Sequence, residues 1–198
     1  MKKILLSFVF SLAILFAYAK GPHIVNVMVN NENSTIKWVG SKISSSHEGN
    51  VKIEKGFLAI NHGVLAGGEF SIDMNSITCS DIKSEKKRDY LVGHLKNEDF
   101  FNVKTFPRAN IIIESANKID GNIYEIAALL TIKGITHPVI FEADVNINGQ
   151  DYLAKAKIKI DRTKWGIKYG SGSFFDNLGD KMILDEIEFD IFLLSVKK

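Results

Sequence analysis

The stretch "YLAKAKIKID", residues 152–161, carries the pattern from which the fold is read. Tyr152, Ala154, Ala156, Ile158 and Ile160 fall on one side of an alternation whose other side holds Lys155, Lys157, Lys159 and Asp161. Successive side chains of a strand point to opposite faces. The segment therefore has one buried and one wet face, as antiparallel sheets do when they cover a core.

The same period recurs at residues 35–43, 51–60, 69–77, 108–119, 124–132, 139–147 and 185–196, which makes eight strands in all. Turn signals separate them, among them Asn61-His62-Gly63, Asp120-Gly121-Asn122 and Asn148-Gly149-Gln150. The one interruption lies between Ser80 and Asn97. There Ser80 or Asp81 can cap a helix whose Leu91 and Leu95 stand four residues apart, while residues 83–89 supply a charged, solvated face. An all-β domain with one helix is expected. Eight antiparallel strands can stack as a sandwich or close into a barrel, and closure removes exposed edges. A barrel of that size either fills with side chains or holds one small ligand. Ala128, Ala143, Ala154 and Ala156 share faces with Phe70, Ile126, Phe141 and Phe189, and small residues among large ones point to unfilled space.

Met1-Lys2-Lys3 opens the chain, followed by an apolar run to Phe16 and by Ala17-Tyr18-Ala19. A basic start, a short apolar run and an A-x-A site are expected to form a cleaved export signal over residues 1–19. Residues 20–198 are then the mature domain, placed in the periplasm or secreted. Losing Lys2 and Lys3 from 25 basic residues leaves 23, against 23 acidic ones. A formally neutral domain lacks the cationic surplus that nucleic acid requires. Cys79 has no second cysteine to pair with, and is expected to be a small buried hydrophobe.

Catalytic signals are sparse. The histidines, His23, His47, His62, His94 and His137, stand in no H-E-x-x-H or H-x-H spacing, so no metal site is expected. His47, beside Glu48, reads as a structural residue at a strand end. No G-x-S-x-G elbow occurs, and "GSGSFF", residues 170–175, lacks the strand-to-helix context of a phosphate loop and reads as a flexible turn. Asp185, Glu186, Glu188 and Asp190 read as the outward face of the last strand. In "HLKNEDFFNVKTFP", residues 94–107, Pro107 stops the helix. Phe100, Phe101 and Phe106 read as a plug over one barrel end, with His94 pinning the helix by hydrogen bonding.

Five blocks also carry a resemblance: "IKWVGSKISSSHEGNVKIEKGFL" (36–58), "GGEFSIDMNSI" (67–77), "HLKNEDFFNVKTFP" (94–107), "LTIKGITHPVIF" (130–141) and "DRTKWGI" (161–167). In this order they resemble the YceI-like family of exported lipid-binding proteins. The resemblance implies an extended lipocalin-like barrel of eight antiparallel strands with a helix near its mouth. It implies a long isoprenoid or similar lipid in an apolar channel, with no catalytic residues and no cofactor. The partner is expected to be a long-chain lipid of the polyprenyl, quinone or fatty-amide class. No permanent membrane anchor is expected once the signal is removed, and a homodimer is left open.

The channel lining follows from which face of each strand lacks charge. On the first two blocks it is Ile36 and Trp38, then Phe70, Ile72 and Met74; from the helix segment come Leu91 and Phe100. Residues 124–132 contribute Ile126, Ala128 and Leu130, and the next strand Phe141, Ala143 and Val145. Ala154, Ala156 and Ile158, with Phe189 and Ile191, complete it. The rival readings are an envelope enzyme acting on a lipid head group through His47 or His94, and a fully packed envelope or redox-partner module that binds no ligand.

Overall fold

The alternating segments form an antiparallel sheet that curls and closes on itself. The computed structural model describes residues 23–149 and 151–196; the expected export signal, residues 1–19, lies outside them. In chain order the strands are β1 (Ile24–Met28), β2 (Thr35–Lys42), β3 (Ser46–Asn61), β4 (Val64–Asp73), β5 (Arg108–Asp120), β6 (Ile123–Ile132), β7 (Ile135–Asn148), β8 (Asp151–Asp161) and β9 (Ile183–Leu194). Helix α1 (Glu85–Lys96) lies between β4 and β5. The pairing order β3-β2-β9-β8-β7-β6-β5-β4 returns to β3 through β3–β4, so eight strands make the closed barrel. The ninth, β1, adds outside onto the second half of β3, with Ile24 opposite Asn61 and Met28 opposite Phe57.

The two barrel ends differ because the chain connects them differently. At one end β3–β4, β5–β6 and β7–β8 are joined by tight turns. Ile60, Leu65, Tyr124 and Tyr152 are buried toward this end and fill it. At the other end lie the β2–β3 turn, the long segment 74–107 with α1, the Lys133-Gly134 turn and residues 162–182. Lys133 and Gly134 both have positive φ, 51° and 73°, the conformation that lets a two-residue turn follow the twist of its strands. Phe106 packs directly under Gly134, where an added Cβ would meet its ring at 3.0 Å.

Several boundaries depart from the sequence reading. The strand expected over residues 69–77 ends at Asp73, whose carboxylate accepts the Asn75 N–H and starts a 3-10 turn carrying Met74. The helix begins after Ser84, not at Ser80 or Asp81. Those two residues are occupied elsewhere: the Ser80 N–H bonds the Glu48 carbonyl, and Asp81 accepts the Glu48 N–H. Since β4 pairs β3 only over Lys52–Asn61, the extended segment 78–81 covers the otherwise bare edge of early β3. Gly49 is what permits this approach, because a Cβ there would collide with the Thr78 carbonyl.

Strand β7 starts at Ile135, four residues before its expected start, and runs through Pro138. It pairs with β8 only from Ala143 opposite Ala156 onward. The part of β7 ahead of that pairing is an edge, where a proline without an N–H is tolerated. Trp165 packs beside this edge, with its indole N–H on the Leu130 carbonyl at 3.1 Å and its ring edge-on to His137 at 5.2 Å.

Candidate functional site

The barrel is hollow. A cavity of about 230 Å³ occupies its interior, against the roughly 10–15 Å³ that admits one water. Its wall is built by the inward half of each alternation, so the same spacing that makes the strands makes the lining. At roughly 24 cal/mol per Å³ of unfilled core, a space this large forfeits about 5 kcal/mol of packing. That cost explains why such cavities in apolar surroundings favour an apolar occupant.

All the residues read from the sequence as lining do line the cavity, Ala128 excepted. Ala128 points inward and is buried. It lies opposite Ile113 and Val139 on the neighbouring strands, and it is not part of the cavity wall. The sequence reading missed other lining residues: Val51, Ile53 and Leu58 on β3, Ala109, Ile111 and Ile113 on β5, and Ile187 and Leu193 on β9. Ile187 and Leu193 continue the alternation of Phe189 and Ile191, and Ala109, Ile111 and Ile113 keep one of their own, so both sets were within reach of it. On β3 a bulge between Ile53 and Lys55 shifts the parity before Leu58.

Segment 94–107 closes part of one end. Phe100 is buried and Phe101 half-buried, and both line the cavity with Leu91 and Leu95. Phe106 does not; it belongs to the β6–β7 turn, which corrects the three-residue plug to two. His94 holds this cover by ring contacts rather than by a hydrogen bond. It meets Phe100 edge-on at 4.9 Å and Tyr169 at 4.6 Å, while Asp99 stands 3.8 Å from its Nε2.

Polar lining gathers at the same end, on Ser41, Lys42, Ser45 and His47, with exposed Leu184 opposite. Here β2 and β9 lose register, Gly40 facing Ile187 but Lys42 facing Ile183. The slip marks the mouth. His47 is more than a strand-end residue: its Nδ1 lies 2.8 Å from Asp81 Oδ2. Burial works to raise the Asp81 carboxyl, yet hydrogen bonds from the Glu48 N–H, His47 and Cys79 outweigh it and hold it at about 2. Buried Cys79 sits with Sγ 3.2 Å from Asp81 Oδ1, and desolvation foremost pushes its thiol up. A fixed imidazole at the mouth can hydrogen-bond the polar end of a seated molecule; among the described residues its side-chain partner is the Asp81 carboxylate.

Arg162 was absent from the sequence reading and is among the most enclosed side chains in the chain. It lines the cavity near the mouth and spends its donors on the carbonyls of Leu184, Ile167 and Ile183 at 3.1, 2.8 and 3.0 Å. Asp185 completes its shell at 3.4 Å. Asp185 thus belongs to the inward side of β9 with Ile187 and Phe189, whereas Glu186 and Glu188 face outward and pair with Lys159. "GSGSFF" is likewise no free turn, since Ser171 is fully buried and bridges Ile183. Among the described residues, no group of three His, Cys, Asp or Glu is placed to hold a metal ion.

The comparisons with known proteins agree with this architecture. The family model described as YceI-like domain matches residues 28–193. Over 98 residues the chain is 31% identical to Protein YceI of Salmonella arizonae and of Salmonella newport, covering 46% of this chain and 47% of each relative. The chain therefore spans about half the length of the relatives it matches. Among solved structures, BcnA of Burkholderia cenocepacia is similar with a TM-score of 0.68 at 22% identity, over 85% of this chain and 99% of that one. A polyisoprenoid binding domain from Saccharophagus degradans gives 0.63 at 13% identity, over 88% and 100%. These likenesses establish a shared fold.

Proposed function

The chain belongs to the YceI-like family, and on that premise we propose that it binds a long-chain lipid inside the barrel and carries or sequesters it outside the cytoplasm. The observation that supports this reading is the cavity itself: about 230 Å³ of largely apolar space in a closed barrel, with most of its polar lining toward one end. Burying hydrocarbon contributes about 0.8 kcal/mol per methylene. Ten buried carbons then contribute about 8 kcal/mol, enough to offset the several kcal/mol that association costs. Shape and apolarity supply the affinity, and no catalytic group is needed.

The ligand class is a polyprenyl chain, a quinone tail or a fatty amide. The similar domain from Saccharophagus degradans is a polyisoprenoid binder, which supports the first. The apolar tail lies among Ala154, Ala156 and Phe189, and the polar end sits at His47 and Lys42. Residues 1–19 serve as the export signal and place the carrier in the periplasm or beyond. Filling the cavity tests the reading. Ala154→Phe and Ala156→Phe together should abolish binding of a fluorescent fatty-acid probe while leaving the circular dichroism of the sheet unchanged; undiminished binding would sink it.

A further inference from the structure

Exposed apolar side chains crowd the mouth of the cavity. Ile43 is 57% exposed, Leu184 41%, Phe174 47% and Phe175 51%. They are neighbours in space as well as in name. Lys42 faces Ile183 in an antiparallel pair, so Leu184 falls opposite Ser41 and Ile43 follows at the start of the β2–β3 turn, diagonal to Leu184. Ser171, at the base of the loop carrying Phe174 and Phe175, bridges Ile183, and Ser173 bonds Asp185 at 2.6 Å. Leu184 and Lys42 are both exposed and part of the cavity wall, so the outer apolar rim runs without a break into the interior.

Charge is distributed to match. The connections at this end, residues 43–45, 74–107, 133–134 and 162–182, hold eleven Lys and Arg against seven Asp and Glu. Among the described residues, those at the other end, 29–34, 62–63, 121–122 and 149, hold Glu32 and no Lys or Arg. The positive excess among the described connections thus lies at the end where the cavity opens. Lys168 lies 4.5 Å over the Phe174 ring, with its charged head beside the exposed pair Phe174 and Phe175.

We propose that this end docks on the surface of an anionic lipid bilayer, so that lipid passes between membrane and cavity without crossing water. Shallow apolar insertion by Phe174, Phe175, Ile43 and Leu184 combines with attraction of the surrounding lysines to acidic head groups, and interfacial binding of useful strength needs both. The inference rests on the lipid-binding reading, and adds to it the surface from which lipid is taken. The bilayer-touching aromatic pair is the one in "GSGSFF"; Phe100 and Phe101 belong to the cavity wall.

Vesicle co-sedimentation tests this with the purified protein. Binding to phosphatidylglycerol-containing vesicles should exceed binding to phosphatidylcholine vesicles, and should fall as salt shortens the screening length to about 3 Å near 1 M. Phe174→Ser with Phe175→Ser should weaken vesicle binding about fivefold, yet leave uptake of a fluorescent fatty-acid probe from solution unchanged. Ile24→Ser with Met28→Ser, on exposed positions of the opposite end, should change neither. Equal binding to both vesicle types, or equal effects of the two double variants, would overturn the docking surface. So would a self-associated protein that the Phe174/Phe175 variant turns monomeric without loss of vesicle binding, for the face would then join copies of the chain. A protein that binds vesicles through this rim but takes up no probe would sink the carrier reading and leave the docking surface standing.

Discussion

Arg162 and Asp185 meet at the mouth end of the barrel with 3.4 Å between Nη2 and Oδ1, the arginine wholly enclosed and the aspartate on the inward side of β9. Three main-chain carbonyls share the same guanidinium, so the group ties the turn after β8 to the start of β9. Truncating one partner of such a cluster leaves buried polar atoms without a donor. Arg162→Leu should therefore cost about 3–5 kcal/mol of unfolding free energy. Asp185→Asn should cost about 1 kcal/mol, since every carbonyl keeps its donor. Urea denaturation of both variants checks the order, and a larger loss for Asp185→Asn would contradict the assignment.

Asp81 makes the mouth acid-labile. Its carboxyl lies at about 2 in the folded chain against an ordinary 3.8, so the folded state favours the ionised form. The stability it contributes is complete above about pH 4 and is lost as pH falls toward 2. The gap in thermal midpoint between the wild-type protein and Asp81→Asn is thus expected to be widest near neutrality and to close on acidification. Glu54 works in the same sense, drawn down to about 2 first of all by its hydrogen bonds from Arg108 at 2.6 and 2.7 Å. A gap that widens at low pH would refute the sign.

Phe100 and Phe101 part company in burial, and their substitutions should too. Phe100 is 7% exposed and wedged between His94 and Tyr169. Phe100→Ala should cost about 3 kcal/mol or more, the range for a buried phenylalanine. Phe101, half-buried over the cavity, should cost under about 1.5 kcal/mol on replacement by leucine. Phe101→Ala is instead expected to speed release of a bound fluorescent lipid several-fold in stopped-flow displacement. Equal release rates for wild type and Phe101→Ala would mean that the cover is permanent and that lipid enters only beside His47.

How much of this was legible in the chain follows from where the physics is local. Strands with one charged face, such as β8, declared their buried face through alternation, and the lining from Trp38 to Ile191 came with it. Strand β1 did not, because "IVNVM" is five residues long and buries only Val27. The helix start was misplaced because the partner that holds Asp81 is His47, 34 positions earlier; capping rules see only neighbours. Asp185 shares parity with Ile187 and Phe189 and was readable as inward, but an acid on that face had no visible partner until Arg162 folded against it. Arg162 itself stood in "DRTKWGI", and nothing in its immediate sequence says that three carbonyls converge on it.

The central claim is that the barrel is a lipid container, and occupancy is its most direct measure. Native mass spectrometry of the protein purified from its native cells should show an added mass in the range of a polyprenyl, quinone or fatty-amide lipid. That mass should leave on gentle activation and appear in the organic extract, and it should be absent from Ala154→Phe/Ala156→Phe prepared alongside. A bare polypeptide mass in repeated preparations, with no lipid extracted and none taken up on addition, would contradict the account.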